Sequence, residues 1–200
     1  MDDRSPVVPS LVCGSAALTF APKVWTCHQR VFGDDFADYA TWYSDLFEKT
    51  AKRERHRLAL IQEDDDIVSG YGWGSIGHRG QYWADLLRDS LPERIASQWV
   101  GGHFDVVELA VLPEHRRRGL GQALHDCLLD GMTGRCLLST SSDPDDPAVR
   151  LFTRSGWKTL GLLRPGVQVM GLDRAQNATS TDLDAPSRPH PHMPRSGAGI

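Results

Sequence analysis

Two hundred residues, 40% of them hydrophobic and 24% charged, carry a formal net charge of −4. That is ordinary globular composition with enough chain for a substantial core, and it excludes wholesale disorder, collagen-like structure and coiled coil. The acidic balance argues against the broad basic surface of a non-specific nucleic-acid binder, so nucleic acid is not an expected partner.

Residues 1–21, with Pro6 and Pro9, read as a partly flexible N-terminal segment. Its apolar stretch Leu11 to Ala21 follows Asp2 and Asp3 rather than a basic flank, a poor secretion signal, and no run of about eighteen apolar residues occurs. A cytoplasmic location with no membrane association is expected. Thr26 to Phe32 and Tyr39 to Lys52 read as helices, the second with Tyr39, Trp42, Tyr43, Leu46 and Phe47 along one stripe. Leu58 to Ile61 and Ile67-Val68 flank the acidic turn 63–66 as a hairpin, and the second strand runs on through Gly70-Tyr71-Gly72-Trp73-Gly74. Residues 75–102 read as an insertion of one or two short helices broken at Pro92.

Phe104 to Leu112 is a β-prone run stopped by Pro113. A helix follows, with Leu120, Ala123, Leu124, Cys127 and Leu128 at i, i+3, i+4, i+7 and i+8, the pattern of a helix laid on a sheet. Cys136 to Thr140 forms a strand, Asp146-Pro147 opens a helix to about Arg154, and strands at 157–163 and 167–172 meet at Pro165-Gly166. The order places a βαβαβ unit behind a hairpin, an α/β (α+β) fold whose mixed sheet has helices on both faces. The compact unit is expected over 22–173. Residues 174–200, with four prolines and few large apolar residues, read as a disordered Pro-rich tail in which His190 and His192 carry no metal role. Cys13, Cys27, Cys127 and Cys136 lack zinc-like spacing and read as reduced thiols, Cys127 and Cys136 in the core; no metal site is expected.

The chemistry concentrates where the 104–112 strand passes through Pro113-Glu114-His115 into Arg116-Arg117-Arg118-Gly119-Leu120-Gly121-Gln122-Ala123. A helix N-terminus offers unpaired N–H groups and positive dipole, the glycines let an anion approach the backbone, and the arginines add field. A pyrophosphate suits that site. A Walker A loop is excluded because Gln122-Ala123 stands where Lys-Ser/Thr is required, and Leu124 occupies the third glycine position of a dinucleotide fingerprint.

The run Glu108 to Gly121 resembles the acyl-CoA-binding motif of the GNAT superfamily of N-acyltransferases, Arg/Gln-x-x-Gly-x-Gly/Ala, with Arg116, Gly119 and Gly121 in the signature positions. The helix over 145–155 ending in Gly156-Trp157 is similar to the family's second landmark. The resemblance covers about 22–173. It implies a mixed, mostly antiparallel sheet with a V-shaped opening between the 104–112 and 136–140 strands, and acetyl-CoA as co-substrate without a metal. It also implies pantetheine contacts at Leu109, Ala110 and Val111, a pyrophosphate on the amides of Arg117, Arg118, Gly119, Leu120, Gly121 and Gln122, and cofactor contacts at Asp145 and Phe152.

The implied reaction is acetyl transfer to a primary amine of a small molecule or protein. At a lysine-like pKa of 10.4 roughly one amine in a few thousand is neutral at pH 7, so a base or a desolvating pocket is needed. Glu108 is the favoured base and Asp105 the alternative. Regular alternation puts Glu108 on one face with Val106 and Ala110, and Asp105 on the other with Val107 and Leu109. A structural role for either carboxylate stays open, as do acid–base roles for His78 and His103. Phe152 stands where the family commonly has a tyrosine that protonates the thiolate, and Asp145 where an asparagine often stands. A non-catalytic acyl-CoA-binding module is therefore the alternative reading. On the acceptor side, Trp42, Tyr43, Tyr82, Trp83 and Trp99 with Asp34, Asp35, Asp38, Asp45 and Glu48 would suit a cationic amine, or be core and solvated face. A homodimer is left open.

Overall fold

The computed structural model describes residues 8–33, 36–64 and 67–174. The expected tail beyond Arg174, with His190 and His192, and the acids Asp34 and Asp35 therefore lie outside the described residues. Strands β1 (Ser10–Cys13), β2 (Arg57–Asp64), β3 (Ile67–Gly77), β4 (His103–Val111), β5 (Arg135–Ser141), β6 (Lys158–Arg164) and β7 (Val167–Asp173) form one sheet in the order β1-β2-β3-β4-β5-β7-β6. Every neighbouring pair is antiparallel except β4 with β5. A parallel pair needs a crossover, which α6 (Leu120–Leu129) supplies.

Residues 8–21 depart from the expected flexible segment. β1 pairs along β2, Leu11 opposite Ala59, and a 3-10 stretch Gly14–Phe20 buries Ala17 completely. An edge strand of four residues shows no apolar alternation, and a small buried alanine gives no signal in a sequence. Helix α1 (Ala21–Phe32) starts with Pro22 in its first turn, earlier than Thr26. The expected 39–52 helix is one helical run of α2 (Tyr39–Trp42), a π turn (Tyr43–Phe47) and α3 (Glu48–Ala51), opened by the Asp38 carboxylate accepting from the Thr41 N–H at 2.8 Å.

Helices pack on both faces. On one, α6 and α7 (Pro147–Arg154) cover Phe104, Val106, Leu138 and Met170 with Leu124, Leu128 and Phe152. On the other, α1 to α3 bury Trp25, Trp42 and Phe47 against Leu58, Leu60, Tyr71 and Trp73. The 75–102 segment, whose β3 runs on to Gly77, forms α4 (Tyr82–Ser90) and α5 (Glu93–Trp99) over Leu137 and Val169 on that same side. No helix among the described residues is long and apolar enough to cross a membrane.

Two irregularities of β4 position the site. Its ladder with β5 consists of Phe104↔Cys136 and Asp105↔Leu137 alone, so the two strands part beyond Val106. Against β3 it carries a bulge, with Glu108 opposite Trp73 but Val106 opposite Gly74, which leaves Val107 as the extra residue. Gly74 permits this, since an added Cβ would lie 2.1 Å from the Asp105 carbonyl oxygen. The bulge corrects the alternation expected from sequence. Val106 packs on the α6 face, Ala110 on the α1 face, and Glu108 and Asp105 both turn away from α6.

Candidate active site

Where β4 and β5 part, a cavity of about 360 Å³ opens. Val106, Val107, Glu108 and Leu109 of β4 form one wall and Leu138, Ser139 and Thr140 of β5 the other; Ala148, Leu151 and Phe152 of α7 and His28, Phe32 and Phe36 close it. Because the β5 ladder ends at Asp105, the edge of β4 from Val107 onward has no strand partner. Its backbone groups are free to bind an extended amide chain, apart from the Val111 carbonyl, which accepts from Arg116 Nε at 3.0 Å.

Glu108 is the cavity's carboxylate, its side chain 12% exposed. One oxygen, Oε2, accepts from the Tyr71 hydroxyl at 2.8 Å and from Trp73 Nε1 at 3.0 Å, and lies 3.4 Å from His28 Nδ1. Burial, and then the charge of Glu108, push the Tyr71 hydroxyl well above its usual pKa, so it remains a donor. His28, 2% exposed, stacks on Trp25 at 5.3 Å and is ringed by Phe32, Phe36 and Trp42. Its Nε2 is buried without a hydrogen-bond partner among the described residues. Sequence reasoning missed His28. The available signal was a polar residue on an apolar helix stripe, Trp25-x-x-His28-x-x-x-Phe32.

Asp105, the alternative base, is sealed in the parallel-paired end of β4. It is 2% exposed, 2.7 Å from His103 Nε2, and accepts from Trp83 Nε1 at 3.1 Å. His103 is itself fully buried, its Nδ1 accepting from the Gly101 N–H at 2.9 Å, while His78 lies at the surface beside Glu54. None of the three lines the cavity.

At the β4–α6 junction, Gly119 caps the helix at φ 80° and Arg117 sits at φ 61°. No side chain caps α6, which leaves first-turn N–H groups for an anion. The three arginines differ. Arg116 is held on the Val111 carbonyl and Arg118 on Glu63 and His115; the Arg117 guanidinium alone of the three has no hydrogen-bond partner among the described residues. Gly121 also meets a packing need: an added Cβ would sit 3.1 Å from Leu151 Cδ1, so this glycine brings α6 against α7. The Leu120 side chain is core, and Gln122 is engaged with Asp126 and Ser155. An anion here would meet backbone N–H groups and Arg117, a donor set that fits a pyrophosphate.

Phe152 lines the cavity edge-on to Trp157, 5.6 Å away, whereas Asp145 is exposed, pairs with Arg150 at 2.6 Å and is absent from the lining. The aromatics expected on the acceptor side are elsewhere. Trp42 is core, Trp83 holds Asp105, Trp99 packs where Gly171 leaves room, and Tyr82 is 84% exposed. Phe32 and Phe36 line the cavity instead. Asp45 and Glu48 form surface i,i+4 pairs with Lys49 and Lys52. The four cysteines are free thiols; burial pushes Cys27 and Cys136 up to about 12, while Cys127 is only half-buried. Among the described residues no group of three or more His, Cys, Asp and Glu could hold a metal ion.

Residues 21–157 match the model of the acetyltransferase (GNAT) family. Over 96 residues the chain is 34% identical to a GCN5-like protein acetyltransferase of Mycobacterium tuberculosis, covering 44% of this chain and 47% of that one, so it spans about half the length of the curated relative it matches. Among solved structures, the loading GNATL domain of CurA from Lyngbya majuscula superposes at a TM-score of 0.58 with 15% identity, over 84% of this chain and 98% of that one. The ribosomal-protein-S18-alanine N-acetyltransferase of Escherichia coli does so at 0.55 with 14% identity, over 84% and 95%. At these identities the structural likeness establishes the fold.

Proposed function

The chain belongs to the GNAT acetyltransferase family, and from that premise we propose that it transfers the acetyl group of acetyl-CoA to a primary amine by direct attack within the β4–β5 cavity. One observation carries this reading. The cavity opens where β4 loses its strand partner, and its otherwise largely apolar wall there holds a carboxylate–imidazole pair, Glu108 with His28. The free edge of β4 would hold the pantetheine amides, and a backbone N–H there would polarise the thioester carbonyl as charge develops on oxygen. The uncapped turn at Gly119, with Arg117, would take the pyrophosphate.

Phe32 and Phe36 would exclude water from the acceptor, favouring its neutral form. The likeness to the mycobacterial GCN5-like protein acetyltransferase adds weight to an amine on a protein over one on a small molecule. Phe152 favours a second reading. It offers no proton to a departing thiolate, which leaves a module that binds acyl-CoA without turnover. Thermal unfolding with and without acetyl-CoA, followed by thiol release over a panel of amines and peptides, separates the two. Stabilisation with amine-dependent thiol release is expected; stabilisation without release from any acceptor selects the binder, and no stabilisation overturns both.

A further inference from the structure

Resting on the acetyl-transfer reading, we propose that His28 takes the proton from the acceptor amine through Nε2, and that Glu108 acts as the positioning residue that orients its ring. The tautomer follows from the partners. Indole Nε1 only donates, and the Tyr71 hydroxyl spends its proton on Glu108, so both present their hydrogens to Oε2. The two atoms near His28 Nδ1 are then acceptors, Glu108 Oε2 at 3.4 Å and the Tyr71 oxygen at 3.3 Å. Nδ1 therefore carries the ring proton, and Nε2 carries a lone pair with no partner among the described residues, on a residue that lines the cavity.

A purely structural residue in that nest of Trp25, Phe32, Phe36 and Trp42 would do better as a phenylalanine, which leaves no buried acceptor unsatisfied. His56 shows that an orphaned imidazole is not by itself a sign of chemistry. It is as buried, with neither nitrogen in a well-formed hydrogen bond among the described residues, but packs between Phe47 and Trp73 away from the cavity. His28 differs in having Nδ1 anchored on Glu108 and Tyr71 and in belonging to the cavity lining, which His56 does not. The imidazolium formed would be stabilised by the Glu108 charge and the stacked Trp25 face.

In the step itself, the amine nitrogen bonds to the thioester carbon and the C–S bond breaks with its electron pair on sulfur. The proton lost by nitrogen goes to Nε2 while Nδ1–H stays on Glu108; the imidazolium later returns that proton to solvent. Among the described residues the titratable groups facing the ring are Glu108 from β4 and Tyr71 from β3, with Cys27 beside it on α1; the remaining contacts are uncharged rings.

The test is the pH profile of kcat/KM for thiol release with the best acceptor, in wild type, His28→Gln, His28→Phe and Glu108→Gln, with the acetyl-CoA thermal shift measured in each. His28→Phe suits the aromatic nest and guards against a variant that fails to fold. Both His28 variants are expected to keep the shift, lose about 100-fold or more in kcat/KM and lose the wild-type fall in rate towards acid pH. Glu108→Gln, which still accepts from Tyr71 and Trp73, is expected to lower kcat about tenfold and keep that acid limb. Retention of rate and acid limb in His28→Phe, with both lost in Glu108→Gln, would make Glu108 the direct base and overturn this assignment while leaving acetyl transfer standing. A wild type that binds acetyl-CoA but releases no thiol with any acceptor overturns the transfer reading, and this assignment with it.

Discussion

The two halves of β4 carry the same three groups and put them to different ends. In the His103–Val106 half, Asp105 meets a histidine and an indole N–H, His103 and Trp83, and is itself paired with a strand on both edges. In the Val107–Val111 half, Glu108 also meets a histidine and an indole N–H, His28 and Trp73, but one strand edge is free and a cavity lies alongside. Side-chain chemistry alone does not separate a carboxylate sealed in the core from one beside a cavity; what separates them is where the β5 ladder stops. The bulge at Val107 brings both to the same face, so three residues of chain pass from a sealed core to an open site.

That contrast can be broken by substitution. Asp105→Ala strips the partner from a buried imidazole and is expected to cost about 4 kcal/mol of stability, read by denaturant unfolding, while the folded fraction retains its acetyl-transfer rate. A large loss of rate per folded molecule would place Asp105 in the chemistry. His56 isolates what an orphaned imidazole costs away from the cavity. Burial pushes it down to about 4 from the usual 6.5, so as pH falls from 6.5 to 4 the unfolded chain takes up a proton that the folded chain refuses. Stability should fall by about 3 kcal/mol across that window and level off below it, and His56→Phe should flatten the curve; an unchanged acid slope in the variant contradicts the assignment.

Glu108→Ala, by contrast, is expected to lower kcat/KM about 100-fold, about 2.7 kcal/mol of transition-state stabilisation, with a smaller effect on unfolding. Equal damage to stability and rate would make the open half of β4 a copy of the closed one. The smallest effect concerns Phe152. Phe152→Tyr adds a hydroxyl at the cavity wall and is expected to raise kcat a few-fold, about 1 kcal/mol, if thiolate departure limits the rate; stopped-flow thiol release with no change would show that protonation of sulfur is not limiting.

The periodicity of α6, the turn at Pro165-Gly166 and the Arg116–Gly121 junction are local patterns, and the sequence displays them; Glu108 was found because it lies a few residues upstream of that junction. The β4 bulge is invisible in sequence because it depends on Gly74 of another strand leaving room beside Asp105. His28 lies eighty residues from Glu108, and only the packing of α1 on the sheet joins them. Gly121 carries a second constraint that no local pattern displays, since its missing side chain faces Leu151 across a helix contact. β1 escaped notice because an edge strand half in water has no apolar pattern to show.

Amide hydrogen exchange with and without acetyl-CoA tests the division of β4 most directly, and it needs no knowledge of the acceptor. Added acetyl-CoA is expected to slow exchange across 107–111 and the 117–122 turn while leaving 103–106 unchanged. Unchanged exchange across 107–111 and 117–122, or protection confined to 103–106, would contradict the account.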